Sequence, residues 1–144
     1  KLNIPFIDID CLIEEHAGMT ISEIFENIGE SYFRNLEEKI TIKSLSSKKN
    51  VISLGGGGFI NDKIRKNIMS NHFSFWLDWD ESVLLKRIQN SKKRPLAFKL
   101  TPQKMKVIIK KRIKIYSKAK FKINCNKLTK NEIVNKIIKI YELN

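Results

Sequence analysis

The 144 residues suffice for one domain with an apolar core, because 42% of them are hydrophobic. No run is apolar and long enough to cross a bilayer, and the first residues lack a secretory or transit-peptide pattern. The formal net charge of +13 favours an anionic partner. The lysines are spread along the chain, so a general compositional drift explains the charge equally well, and we expect neither nucleic-acid nor membrane binding. Cys11 and Cys125 stand far apart without metal-ligand spacing, which indicates a reduced, cytoplasmic protein, and we expect a monomer.

Short apolar segments alternate with helical patterns along the chain. The predicted strands are residues 4–9, 51–54, 73–77 and 121–124. The predicted helices are residues 11–16, a short helix from the capping box at 20–23, then 30–45, 61–70, 81–89, 102–117 and 131–143. A polar, basic loop is expected at 90–101. This alternation predicts an α/β fold, with a parallel sheet covered by helices on both faces.

Asp8 and Asp10 lie two residues apart at the end of the first predicted strand. In a strand this spacing puts both side chains on one face, at the carboxyl end where parallel sheets bind ligands. Two close carboxylates repel each other unless a cation or hydrogen-bond donors separate their roles. A magnesium ion with its waters and a substrate hydroxyl would do so. The alternative is that one aspartate caps the following helix, which explains Asp10 alone but not the pair.

Four consecutive glycines, residues 55–58, follow the second predicted strand. Such a run indicates either close approach of the backbone to another group or positive φ angles, and its N–H groups can hold an anion or a hydroxyl oxygen. A flexible turn between strand and helix is the alternative. Four glycines exceed what a turn requires, so we favour a binding function.

Arg112 falls in the middle of the apolar stripe on its predicted helix, between Ile109 and Tyr116. A guanidinium group that faces inward is unfavourable unless an anion pairs with it. The partner is either a carboxylate of this chain or a ligand carboxylate bound through two parallel hydrogen bonds. The residues alone leave these two alternatives equal.

Three other arginines are candidates for anion binding, and each has a simpler explanation. Arg34 has Glu37 and Glu38 at the helical spacings that form ion pairs. Arg87 and Arg94 lie just before and within the basic loop, where charged residues are commonly solvated. A closing lid that clamps phosphate is the functional alternative for that loop.

The order of the motifs resembles shikimate kinase along almost the whole chain. The motifs are Phe6-Ile7-Asp8-Ile9-Asp10, Phe33-Arg34-Asn35-Leu36-Glu37, Val51-Ile52-Ser53-Leu54 with Gly55 to Gly58, Arg94-Pro95-Leu96, and Arg112 four residues before Tyr116. The resemblance implies a single domain of the P-loop kinase type, a three-layer α/β fold. It also implies transfer of the γ-phosphoryl group of ATP to the 3-hydroxyl group of shikimate.

On the substrate side, the resemblance implies that Asp10 binds ring hydroxyls and accepts the reacting proton. Arg34 and Arg112 resemble the arginines that bind the shikimate carboxylate, and Glu37 resembles the acid that positions Arg34. The glycines that resemble the pocket-lining motif are Gly55, Gly56 and Gly57.

On the nucleotide side, the resemblance implies ATP and magnesium as cofactors. Asp8 resembles the aspartate that supports the magnesium ion through water. Arg94 resembles the lid arginine that contacts the phosphates and takes part in catalysis, and Arg87 matches the position that lies on adenine. The loop at 90–101 is therefore expected to be the lid.

The sequence departs from the family pattern in two places. No G-x-x-x-x-G-K-[ST] phosphate loop occurs in the 144 residues, so we expect the first βα unit to be absent and phosphoryl transfer to be impaired. Lys127-Leu128-Thr129-Lys130 stands where the family often has a proline near adenine. The alternatives are a small-molecule kinase of the gluconate kinase type and a non-catalytic protein that binds anions or nucleic acid.

Overall fold

The computed structural model describes residues 1–47, 49–89 and 101–144. The strands are β1 (Phe6–Asp8), β2 (Val51–Ser53), β3 (Phe75–Asp78) and β4 (Phe121–Asn124). The helices are α1 (Ile9–Ala17), α2 (Ile21–Asn27), α3 (Glu30–Leu45), α4 (Asp62–Asn71), α5 (Glu81–Gln89), α6 (Pro102–Tyr116) and α7 (Lys130–Glu142), with a 3₁₀ turn at Gly58–Ile60. The predicted lid at 90–101 lies outside the described residues except for Thr101, the N-cap of α6.

The predicted order of strands and helices is confirmed, but the start of the chain differs from the prediction. β1 ends at Asp8 and α1 begins at Ile9, whereas we expected a strand to residue 9 and a helix from Cys11. The side chain of Asp8 accepts hydrogen bonds from the first N–H groups of the helix, so the helix starts directly after it. Asp10 therefore lies in the first turn of α1, and the prediction that both aspartates share one strand face was wrong.

The described residues form two compact units. The first, residues 1–68, contains the pair β1–β2, in which Phe6 lies opposite Val51 and Asp8 opposite Ser53. The second, residues 69–89 and 101–144, contains the pair β3–β4 in the register Phe75 to Phe121. Both pairs are parallel, which confirms the α/β class and the strand direction. The described strands form these two pairs rather than one continuous sheet.

The first unit is built around α3, against which α1 and α2 pack. The core residues are Ile9, Ile13, Ile24, Phe33 and Leu36. The rings of Phe25 and Phe33 lie 4.8 Å apart, within the range of favourable aromatic pairs. The face of α3 that carries Phe33 and Leu36 therefore lies in the core of the first unit.

The second unit has a core cluster on β4 and α7, with Ile123, Cys125 and Ile133 buried. Burial raises the pKa of the Cys125 thiol, because low polarity disfavours the thiolate. α6 buries Met105 and Ile109 and packs against α5. Among the described residues, no helix is long and apolar enough to span a membrane.

Thr41 on α3 is fully buried, and its hydroxyl finds no hydrogen-bond partner among the described residues. A buried, unsatisfied hydroxyl group is unfavourable, while valine has nearly the same shape. We therefore expect Thr41→Val to raise the free energy of unfolding by about 1 kcal/mol in urea titrations. Thr41→Ala, which also removes a buried methyl group, should be less stable than Thr41→Val. A valine variant less stable than the parent would contradict this account.

Candidate active site

The carboxyl ends of β1 and β2 lie side by side, because Asp8 and Ser53 are partners in the ladder. Asp8 Oδ1 accepts hydrogen bonds from the backbone N–H groups of Asp10, at 3.0 Å, and Cys11, at 3.3 Å. Asp8, not Asp10, is therefore the helix cap. Its hydrogen bonds within the described chain involve Oδ1 alone, so Oδ2 faces no donor there.

The glycine run after β2 passes directly against the side chain of Asp10. A Cβ atom built on Gly55 would overlap Asp10 Oδ1 and lie 3.1 Å from its Cγ. The positive-φ glycines of the described residues are Gly18 and Gly29, so the run is not needed for unusual backbone angles. Close approach is the reason for glycine at position 55, which settles one alternative left open by the sequence.

Arg34 packs against the same run two residues further on. A Cβ atom on Gly57 would overlap Nη1 of Arg34 and lie 3.2 Å from its Nη2. Nη1 donates to Glu37 Oε2 at 2.7 Å, and Nε donates to Glu30 Oε1 at 3.3 Å. Nη2 donates to no acceptor among the described residues.

Glu37 is a buried carboxylate, with 2% of its side chain exposed, whereas Arg34 is 35% exposed. The predicted pairing of Arg34 with its own helix is confirmed for Glu37 at i+3. Glu38 does not pair with Arg34: its Oε2 accepts from Asn61 Nδ2 at 2.7 Å and its Oε1 from Lys63 Nζ at 2.9 Å. These two hydrogen bonds hold the pKa of Glu38 below its usual range.

The remaining predicted site residues belong to the second unit or are not described. Arg112 is half-buried on α6, on the face that includes Met105 and Ile109, and no ion pair within the described part of its unit involves it. The guanidinium group of Arg87 lies 3.8 Å from the ring centroid of Trp79, a cation–π contact. Arg94 lies outside the described residues.

Several residues that organise the site were not predicted from the sequence. Glu30 binds Arg34 one turn before it, and Asn61 links α3 to the end of the glycine run. Arg65 donates from Nη1 to the carbonyl groups of Phe59 and Ile60, at 3.1 and 2.8 Å, within the 3₁₀ turn. Glu30 lies four residues before Arg34, a helical spacing from which the ion pair could have been predicted. No comparable signal marks the contacts between distant segments.

A magnesium ion at this site would be held by few protein groups and by its own waters. No group of three or more His, Cys, Asp or Glu side chains in the described parts of the chain could hold a metal ion. Magnesium retains several waters in proteins and often uses one or two carboxylates. Asp8, with Oδ1 on backbone N–H groups, would be the carboxylate that holds such an ion or its waters.

An aspartate, an arginine and a close-packed glycine run meet at the carboxyl edge of parallel strands. This is the place where open α/β sheets bind small molecules, and the arginine selects an anionic one. The fold and site thus define an α/β protein with a candidate site for a small anionic ligand.

The family model for shikimate kinase matches residues 1–142, so the chain belongs to the shikimate kinase family of transferases. It is 38% identical over 143 residues to the shikimate kinase of Thermodesulfovibrio yellowstonii, covering 99% of this chain and 83% of the relative. The shikimate kinase of Bartonella quintana is 38% identical over 139 residues, 96% of this chain and 66% of the relative.

Solved structures agree with the family. The crystal structure of the Aquifex aeolicus shikimate kinase has a TM-score of 0.83 and 34% identity, covering 97% of this chain and 83% of that one. The Acinetobacter baumannii shikimate kinase, solved in complex with shikimate, has a TM-score of 0.89 and 29% identity, covering 97% and 79%. The resemblance read from the motifs is confirmed, and the family's activity is phosphoryl transfer to shikimate.

The ion pair of Arg34 with Glu37 makes a stability prediction. Arg34→Met leaves a buried carboxylate without its guanidinium partner, so the free energy of unfolding at pH 7 should fall by about 3 kcal/mol. This is the low end for broken buried pairs, because Arg34 is partly exposed. The double variant Arg34→Met/Glu37→Leu should lose less than Arg34→Met alone in urea titrations. Equal stability of Arg34→Met and the parent would show that the pair is energetically neutral.

Proposed function

We propose that this chain binds shikimate and acts in the transfer of the γ-phosphoryl group of ATP to its 3-hydroxyl group. The observation that carries the proposal is the way in which the guanidinium group of Arg34 is held. Glu37 and the glycine run fix this group, while Nη2 meets no acceptor among the described residues. A planar guanidinium group held in this way suits a carboxylate.

The substrate side of the proposal uses residues of the first unit. Arg34 binds the carboxylate, Glu37 orients Arg34, and Asp10 binds ring hydroxyls and accepts the proton of the reacting one. The N–H groups and bare Cα atoms of Gly55 to Gly57 line the place between Asp10 and Arg34. Gly55 and Gly57 are two residues apart, so their Cα atoms are separated by at most about 7 Å, a span on the scale of a six-membered ring acid.

Arg112 is proposed as the second arginine for the carboxylate. Its position on the α6 face that buries Met105 and Ile109 agrees with a guanidinium group that requires an anion. The two readings of the sequence were a carboxylate of the chain or one of a ligand. Membership of the shikimate kinase family favours the ligand.

The nucleotide side is proposed from the family. Asp8 orders the waters of the magnesium ion, Arg87 lies near adenine, and Arg94 contacts the phosphates and supports catalysis from the lid. Magnesium, when bound, neutralises phosphate charge in such reactions. The 144 residues contain no phosphate-loop motif, so we propose that phosphoryl transfer by residues 1–144 alone is slow.

Shikimate titration followed by calorimetry tests the function without depending on ATP. We expect the chain to bind shikimate, and Gly57→Ala to weaken binding at least about tenfold, since the new methyl group displaces Nη1 of Arg34. Gly58→Ala is the matched control, because a Cβ there meets atoms only at ordinary contact distances of 3.5–3.8 Å. Its affinity should stay within about threefold of the parent.

Two outcomes would contradict the proposal. Absence of shikimate binding by the folded parent chain would exclude shikimate as the ligand of these residues. Equal weakening by Gly57→Ala and Gly58→Ala would show that the run tolerates no side chain for reasons unrelated to Arg34.

A further inference from the structure

The glycine run is fixed at its two ends by different means. Its beginning continues β2, which the ladder with β1 holds in place. Its end turns through Gly58–Ile60, where the N–H of Ile60 donates to the Gly57 carbonyl at 2.9 Å and that of Asn61 to Gly58 at 3.2 Å. These local bonds shape the turn but do not attach it to the helix that carries Arg34.

Asn61 makes that attachment. Its Oδ1 accepts from the N–H groups of Lys63, at 2.9 Å, and Ile64, at 3.1 Å, and so caps the start of α4. Its Nδ2 donates to Glu38 at 2.7 Å, across 23 positions of sequence. One side chain therefore ends the turn, starts α4 and ties both to α3.

Glu38 stands next to Glu37 on α3, four residues after Arg34. The same helix thus touches the run at two points: Arg34 packs against Gly57, and Glu38 holds Asn61 four residues further on. Two contacts along one rigid helix fix the spacing between the guanidinium group and the glycine backbone. The hydrogen bonds from Lys63 and Asn61 lower the pKa of Glu38, because they favour its carboxylate form.

We propose that Glu38 and Asn61 are positioning residues for the ligand-binding arginine: their hydrogen bond sets where the glycine run meets Arg34, and thereby sets shikimate affinity. The role in shikimate affinity rests on the proposed function. Neither residue touches the ligand. Small displacements of a binding group carry large costs in such sites, which is why a remote hydrogen bond has this effect.

Lys63 also reaches Glu38 but contributes little to the positioning. Its side chain is 78% exposed, and ion pairs of this kind are weak because water screens them. The amide of Asn61, which is part-buried and bonded on both of its polar atoms, carries the link. Lys63→Ala is therefore a matched control that removes one partner of Glu38 and leaves the other.

The test exchanges donor and acceptor in the hydrogen bond between Asn61 and Glu38. Asn61→Asp keeps an oxygen that caps α4 but sets a carboxylate against Glu38, so shikimate affinity should fall at least about tenfold. In Glu38→Gln/Asn61→Asp, the glutamine amide donates to the aspartate, and affinity should return to within about threefold of the parent. Lys63→Ala should change affinity less than about twofold.

Calorimetry with shikimate is combined with the amide resonances of Gly57 and Gly58 in NMR spectra, and melting curves confirm that each variant folds. The resonances should shift in Asn61→Asp and return in the double variant. Parental affinity and unshifted resonances in Asn61→Asp would overturn the inference, as would failure of the double variant to restore them. If the parent binds no shikimate, the proposed function fails by itself, and the glycine resonances still decide whether the pair positions the run.

Discussion

The buried carboxylate of Glu37 is the constraint on which the candidate site depends. A carboxylate with 2% exposure requires a hydrogen-bonded cation, and Arg34 supplies it from one turn earlier on α3. This pairing holds the guanidinium group so close to the glycine run that Gly57 has no room for a side chain. Glu37 thus explains the orientation of Arg34, and the position of Arg34 explains why residue 57 is a glycine.

Helix patterns and local motifs made much of the fold predictable from sequence. The capping box at Thr20 and Glu23 is present as expected, and α3 has the predicted bounds. The amphipathic pattern also placed Arg112 correctly on the half-buried face of α6. The error at Asp8 and Asp10 came from extending β1 by one residue, because hydrophobic alternation does not show where a strand gives way to a capped helix.

The site itself was only partly predictable, because its decisive contacts join distant segments. The sequence suggested glycine for close approach or for positive φ, and only the positions of Asp10 and Arg34 decide for close approach. The link of Glu38 to Asn61 spans 23 residues and has no sequence pattern. The contacts of its side chains, which composition does not reveal, therefore explain how α3 positions both Arg34 and the glycine run.

A crystal structure of these 144 residues with shikimate would test the central claim most directly. We expect the ligand carboxylate to lie within hydrogen-bond distance of Arg34 Nη2, with Glu37 still bound to Nη1 and a ring hydroxyl beside Asp10. A carboxylate bound away from Arg34, or a guanidinium group that leaves Glu37 to reach the ligand, would contradict the claim that the buried ion pair prepares the site.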